Sequence, residues 1–132
     1  MPEDKIQARQ AVLVVDDDSA ELRALARLIR ADGFEALTFA RPELVLKSEI
    51  PKSNACLLLD VHMPEMNGVE LYKALCASGH CLPLIMMTGR NDAQTRTLLE
   101  EVNPVAVLFK PFDEDLLLDA IGRALSLPPR AD

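Results

Sequence analysis

The sequence lacks the features that would place it in a membrane or on nucleic acid. Its longest uncharged apolar stretches, 55–59 and 82–87, are far shorter than the ~20 residues that a membrane-spanning helix needs, and its first residues lack the apolar core of a secretory signal. Lys and Arg number 14 against 21 Asp and Glu, for a formal net charge of -7. Because anionic lipid and nucleic acid are bound by clustered Lys and Arg, we expect no direct contact with either.

Cysteines are also few. The three present, Cys56, Cys76 and Cys81, contain no CxxC pair. An odd number without such a pair is typical of reduced thiols in a cytoplasmic protein, so we expect free thiols and no metal site among them. Cys56 lies in an apolar run and is interpreted as a buried, inert core residue.

The composition indicates a single globular domain. Of 132 residues, 49% are apolar and 27% are charged, and this length is usual for one domain with one core. No internal repeat or low-complexity tract interrupts the chain. We expect an N-terminal extension over 1–10, one domain over 11–126, and a tail or the start of a linker over 127–132, where Pro128-Pro129 ends the last helix.

Apolar periodicity divides the chain into five strand-helix units. Short apolar or alternating runs predict strands at 11–15, 34–40, 55–59, 82–87 and 105–109. Apolar residues at helical spacing predict helices between Asp18 and Gly33, and at 44–47, 69–77, 92–102 and 117–125. Asp18 with Glu21 three positions later resembles a capping box for the first helix.

The strands predict an α/β fold. Most are too apolar to have a face in water, which indicates a parallel sheet with helices on both faces. Five such units in a chain of this size most often form a single flavodoxin-like (βα)5 domain with strand order 2-1-3-4-5. Sheets of this kind bind ligands at the carboxyl ends of their strands, near the point where the strand order reverses.

Chemically distinctive residues follow four of the five strands. Asp16 and Asp17 follow strand one, Asp60 follows strand three, Thr88 follows strand four, and Lys110 follows strand five. All five are therefore predicted to meet at one edge of the sheet. Three clustered carboxylates repel one another by roughly 1 to 4 kcal/mol per pair, depending on the surrounding dielectric, so they need a positive counter-charge.

A divalent cation would supply that charge. Carboxylate and carbonyl oxygens without nearby His or Cys favour a hard ion, and Mg²⁺ (or Mn²⁺) is the cofactor we expect. Lys110 is suited to pair with one phosphoryl oxygen and the hydroxyl of Thr88 with another. The group therefore predicts a pocket for phosphoryl transfer.

Four segments carry a family resemblance: VLVVDDD at 12–18, LLLDVHMPEMNGVEL at 57–71, MMTGR at 86–90 and FKPF at 109–112. In this order and spacing they resemble the receiver domains of bacterial two-component response regulators, especially those that precede DNA-binding output domains. The resemblance extends over about residues 11–126.

The resemblance implies roles for the site residues. Asp60 would accept a phosphoryl group from a phosphohistidine on a sensor histidine kinase or a histidine phosphotransferase, with Lys110 pairing with the transferred group. Asp17, Asp60 and the backbone carbonyl of His62 would bind Mg²⁺ directly, and Asp16 would bind it through water. Such a protein is not a turnover enzyme, because it catalyses only its own phosphorylation and dephosphorylation.

The resemblance also implies how phosphorylation is read out. Thr88 would respond to the phosphoryl charge, and the altered surface would bind a downstream output domain or protein, with a possible homodimer forming on phosphorylation. His62 and Arg90, two positions after Asp60 and Thr88, would modulate the reaction. We also hypothesise a cis Lys110-Pro111 peptide bond.

The chain departs from the family at residue 107. The family usually has Phe or Tyr three residues before the strand-five Lys, where the ring turns inward during switching. Val107 is small and stiff at χ1, so we expect the ring-flip part of the switch to be missing or replaced.

Two other functions compete with this interpretation. A small phosphatase of the haloacid-dehalogenase kind would use Asp16 as the nucleophile of a DxD motif and would leave Asp60 without a role. A phosphorylation-independent interaction module would act through contact alone. Mapping the phosphorylated residue distinguishes the phosphatase from the receiver, because modification of Asp16 would indicate the phosphatase and modification of Asp60 the receiver.

Overall fold

The computed structural model describes residues 9–128, so most of the expected extension at 1–10 and the tail beyond residue 128 lie outside the described residues. Within this range, five strands alternate with five helices. In chain order the elements are β1 (Ala11–Val15), α1 (Ser19–Ala31), β2 (Glu35–Phe39), α2 (Pro42–Leu46), β3 (Ala55–Asp60), α3 (Gly68–Ala77), β4 (Leu84–Thr88), α4 (Ala93–Glu100), β5 (Ala106–Phe109) and α5 (Glu114–Leu125).

The strands form one parallel sheet in the order β2-β1-β3-β4-β5. β1 lies between β2 and β3, with Val15 opposite Phe39 on one side and Leu59 on the other. β1 and β3 therefore lie next to each other at the point where the strand order reverses. This confirms the predicted flavodoxin-like topology and places the ends of β1 and β3 side by side.

Each face of the sheet carries its own apolar core, because successive strand residues point to opposite faces. Leu13 and Val15 of β1 belong to the core beneath α2, α3 and α4, while Val12 and Val14 belong to the core beneath α1 and α5. All five residues of β1 are buried. The uninterrupted apolar pattern of this strand thus follows from its being covered on both sides.

Polar caps begin three of the helices and fix the loops around the sheet edge. The side chain of Asp18 accepts hydrogen bonds from the backbone N–H groups of Ala20 and Glu21 at the start of α1. α3 begins with a capping box, in which Asn67 and Glu70 each bond to the other's backbone N–H. Asp92 caps α4. Each such cap typically stabilises a helix by about 1 kcal/mol.

The prediction of three free thiols is wrong. Cys76, near the end of α3, and Cys81, before β4, form a disulfide, and Cys56 alone is a free, buried thiol among the described residues. A tight turn explains the pairing. Gly79 adopts a positive φ of 90° and the backbone N–H of His80 bonds to the carbonyl of Leu75, so the chain reverses between the two cysteines.

No helix within residues 9–128 has both the length and the apolar character needed to cross a bilayer. The longest, α1, has 13 residues and includes one glutamate and three arginines.

Candidate functional site at the carboxyl edge of the sheet

The predicted site residues lie together at the carboxyl edge of the sheet. Asp16 directly follows β1, Asp60 and Thr88 are the last residues of β3 and β4, and Lys110 directly follows β5. The backbone N–H of Lys110 bonds to the carbonyl of Thr88 at 2.8 Å, which fixes the ends of β4 and β5 relative to each other. The Lys110-Pro111 bond is cis, as hypothesised.

Three carboxylates form a compact cluster at this edge. Oxygens of Asp16, Asp17 and Asp60 all lie within 4.8 Å of one another. Asp16 and Asp60 are buried, whereas Asp17 is exposed. An oxygen-only donor set with one side open to solvent fits a hard divalent cation, because such an ion takes a few carboxylates and keeps several waters.

Lys110 is the cation at the centre of the cluster. Its Nζ lies 3.3 Å from Oδ2 of Asp16, 3.5 Å from Oδ2 of Asp60 and 2.7 Å from Oε1 of Glu21. The shortest of these contacts is therefore to Glu21, on the first turn of α1. One ammonium group thus pairs with three carboxylates, and Asp17 lies beside two of them.

Burial and hydrogen bonds within the cluster shift the pKa values of its carboxylates. Burial raises the pKa of Asp16 to about 7, and a hydrogen bond with Glu21 adds to the rise. The same hydrogen bond holds the pKa of Glu21 below its usual value. Burial also raises the pKa of Asp60, although the charge of Lys110 opposes the rise. Near neutral pH, a proton on Asp16 therefore removes part of the negative charge of the carboxylates.

Burial acts against the charged form of Lys110, but the hydrogen bond to Glu21 and the charges of Asp60 and Asp16 outweigh it. The pKa of Lys110 is therefore raised above its ordinary value. The ammonium group remains fully charged at neutral pH and available to a phosphoryl oxygen.

Thr88 is at the site, but its hydroxyl is engaged elsewhere. The Oγ1 donates to the backbone carbonyl of Arg90 at 3.1 Å and accepts from the backbone N–H of Arg90 at 3.0 Å. The side chain is fully buried. A donation from this hydroxyl to a phosphoryl oxygen would require it to leave the carbonyl of Arg90, which links any such movement to the β4-α4 loop.

His62 contacts the site with its backbone and another element with its side chain. Its backbone N–H donates to the Asp60 carboxylate. Its Nε2 lies 3.0 Å from the hydroxyl oxygen of Thr95, in the first turn of α4. Val107, on β5, is half-buried against the core on the α4 side of the sheet.

Gly68 allows helix α3 to begin directly against the end of β3. A Cβ at this position would lie 2.4 Å from the backbone oxygen of Asp60, well inside van der Waals contact. Its backbone N–H also bonds to the carbonyl of Val61 at 2.9 Å. The absence of a side chain at residue 68 therefore allows the backbones of α3 and Asp60 to approach this closely.

Two residues of this region were missed by sequence reasoning. Glu21 was interpreted as half of a capping box; Asp18 does cap α1, but the Glu21 carboxylate binds Lys110. The only available signal was that Glu21 lies one turn into the helix that follows the acidic pair. Thr95, which is 1% exposed, carried no signal, because it is a single hydroxyl in a polar helix.

The chain is similar in sequence to known proteins. It matches the family described as "Response regulator receiver domain" over residues 12–122. It is 34% identical over 119 residues to the response regulator protein TmoT of Ectopseudomonas mendocina, covering 90% of this chain and 54% of that protein. It is 32% identical over 114 residues to the transcriptional regulatory protein FixJ of Azorhizobium caulinodans, covering 86% and 54%.

Solved structures give the same result. The structure of response regulator StyR superposes with a TM-score of 0.81 at 36% identity, covering 90% of this chain and 60% of that one. The structure titled FixJ-N has a TM-score of 0.77 at 29% identity, covering 88% and 93%. The chain spans about half the length of the curated relatives that it matches.

Proposed function

We propose that Asp60 is the phosphoacceptor of this chain, which belongs to the response regulator receiver domain family. The observation that carries the proposal is the position of Lys110. Its Nζ lies within 3.5 Å of carboxylates from the ends of two different strands, Asp16 and Asp60. A buried carboxylate beside a fixed ammonium group and an open acidic cluster is suited to receiving a phosphoryl group.

In the proposed reaction, one oxygen of Asp60 attacks the phosphorus of a phosphohistidine on a donor protein. A P–O bond forms to Asp60, the P–N bond to the histidine breaks, and the released imidazole takes a proton. Lys110 shifts from Glu21 toward a phosphoryl oxygen, and the hydroxyl of Thr88 turns from Arg90 toward another. These movements favour the transfer, since both groups then face the charge that the new acyl phosphate carries.

The carboxylate cluster is proposed to bind Mg²⁺, with Mn²⁺ as a substitute. Asp17, Asp60 and the backbone carbonyl of His62 would hold the ion directly, and Asp16 would contact it through water. Bound there, the ion would supply positive charge against the phosphoryl oxygens and relieve the carboxylate repulsion. The fit rests on the oxygen-only donors and on their lying within 4.8 Å of one another.

Receivers are regulatory proteins rather than turnover enzymes. We propose that this chain catalyses only its own phosphorylation and its own dephosphorylation by water. The donor would be a sensor histidine kinase or a histidine phosphotransferase. A groove of about 550 Å³ between α1 and the β5-α5 loop opens beside Lys110 and is lined by Leu25, Leu28 and Phe112, so it offers an apolar docking surface next to the acceptor.

The haloacid-dehalogenase alternative has no support from the comparisons, and the geometry also disfavours it. Its nucleophile would be Asp16, which is fully buried and whose pKa is raised to about 7, so much of it is protonated at neutral pH. The other acid of its DxD motif would be Asp18, whose side chain caps α1. Asp60 would have no role in that mechanism.

The proposal is tested by incubating the protein with acetyl phosphate and Mg²⁺ and measuring its intact mass. We expect one phosphoryl addition to the wild type and none to Asp60→Asn. Asp113→Asn serves as the matched control, since Asp113 is an exposed aspartate whose side chain makes no capping hydrogen bond at the start of α5. Equal phosphorylation of Asp60→Asn and the wild type would contradict the proposal.

A further inference from the structure

We propose that His62 and Thr95 form a side-chain link that transmits the state of Asp60 to the start of helix α4. The inference rests on the proposed function of Asp60 and goes beyond it, because it assigns a positioning role to a buried hydroxyl outside the acceptor site. Three observations support it: the hydrogen bonds that Thr95 makes with His62 and Asp92, the sparse packing of α4, and the small residue at position 107.

The side chain of His62 reaches the first turn of α4 from the loop that directly follows the acceptor strand. The ring Nε2 of His62 lies 3.0 Å from Oγ1 of Thr95. The backbone N–H of Thr95 donates to Oδ1 of Asp92 at 2.8 Å. Asp92 is the N-cap of α4.

Helix α4 has few other attachments. Only Thr95 and Leu99 are buried among its eight residues. At its far end, Lys73 of α3 pairs with Glu101, the C-cap residue of α4, at 2.5 Å. Because an element with little buried apolar surface moves at low free-energy cost, a single hydrogen bond at its first turn has a large influence on its position.

The resemblance implies an aromatic ring at residue 107 that turns inward during switching. Because Val107 lacks this ring, we infer that the link between His62 and Thr95 takes over its function. Val107 lies on the α4 side of β5 and has no ring that could turn between an inward and an outward position. When an oxygen of Asp60 becomes bonded to phosphorus, the charge and the size of the group beside the His62 loop change. The loop carrying His62 adjusts, and the ring moves Thr95 and the cap of α4 with it.

The experiment compares hydrogen exchange of the α4 amides with and without beryllofluoride and Mg²⁺, which mimic the phosphorylated state. In the wild type we expect exchange in the first turn of α4 to change about fivefold on loading, the ratio that corresponds to one net hydrogen bond. Thr95→Val removes the hydroxyl and keeps the branched shape. It should abolish the loading response in α4 while the amides around Asp60 and Thr88 still respond.

Two further variants separate coupling from simple destabilisation. Thr95→Ser keeps the hydroxyl and should restore the response. Lys73→Met removes the attachment at the other end of α4 and should raise exchange there in both states while leaving the loading response intact. Thr95→Ala is the second truncation if Thr95→Val does not fold.

Each result bears on the proposal. A full loading response of α4 in Thr95→Val, or its loss in Lys73→Met, would overturn the link while leaving Asp60 as the acceptor. A wild type in which the amides around Asp60 do not respond to beryllofluoride would overturn the acceptor and the link together.

Discussion

Replacing Gly68 with alanine tests whether the close approach of α3 to the acceptor strand shapes the site. The new Cβ would lie 2.4 Å from the backbone oxygen of Asp60 and 3.1 Å from its carbonyl carbon. Carbon atoms pack best at about 3.5 to 4.0 Å, so the two backbones must separate by roughly 1 Å. Overpacking of this kind destabilises a protein by about 1 to 3 kcal/mol.

Gly122 provides the matched control. It lies in the interior of α5, and a Cβ there would meet nothing within 4 Å. Alanine should therefore stabilise the protein by about 1 kcal/mol through its higher helix propensity. The two Gly→Ala variants, at residues 68 and 122, should then differ by about 2 to 4 kcal/mol in the free energy of unfolding.

Urea denaturation measures this difference directly, and the slope of each transition shows whether the unfolded states are comparable. Acetyl phosphate labelling of the same samples should be slower for Gly68→Ala, since the shift moves the backbone of Asp60, and unchanged for Gly122→Ala. A Gly68→Ala protein as stable and as readily phosphorylated as the wild type would refute the reasoning.

Three other predictions follow from the site and from the cysteines. Mg²⁺ at ten times its Kd should stabilise the fold by about 1.4 kcal/mol, and an unchanged melting temperature across the titration would contradict the metal assignment. With a chelator present, the free energy of unfolding should fall as pH rises from about 4 to 7, because Asp16 keeps its proton to a higher pH in the folded protein than in the unfolded chain. Asp16→Asn should flatten this profile, and an unaltered slope in that variant would contradict the role of Asp16. Alkylation after mild reduction should modify Cys76, the more exposed of the two disulfide cysteines, but spare Cys56, whose pKa burial raises to about 12; equal labelling of Cys56 and Cys76, measured by peptide mass, would contradict the buried position.

The sheet was predictable because the apolar pattern of its strands indicates which of their residues are buried. A strand such as β1, covered on both faces, must be apolar at every position, and the acids that follow it mark where it reaches water. The same logic predicts that Asp60, Thr88 and Lys110 lie at one edge of the sheet. The departure from the family at Val107 could also be recognised in the sequence, because this position is defined as three residues before Lys110.

Contacts made by long or small side chains across elements could not be predicted in this way. Glu21 satisfies a helix-start pattern and still directs its carboxylate to Lys110, because burial of the ammonium group favours a close counter-charge. Thr95 acquires its partners only once α4 packs over the loop that carries His62. The disulfide depends on a turn that brings Cys76 and Cys81 together, and spacing rules for cysteines do not describe that turn.

The most direct test of the central claim is to identify the residue that carries the phosphoryl group. Protein phosphorylated with acetyl phosphate in Mg²⁺ is treated with borohydride, which reduces an acyl phosphate to an alcohol, and its peptides are sequenced by mass spectrometry. We predict that residue 60 alone appears as homoserine. Reduction at Asp16 or at any other acid, with Asp60 unmodified, would contradict the account.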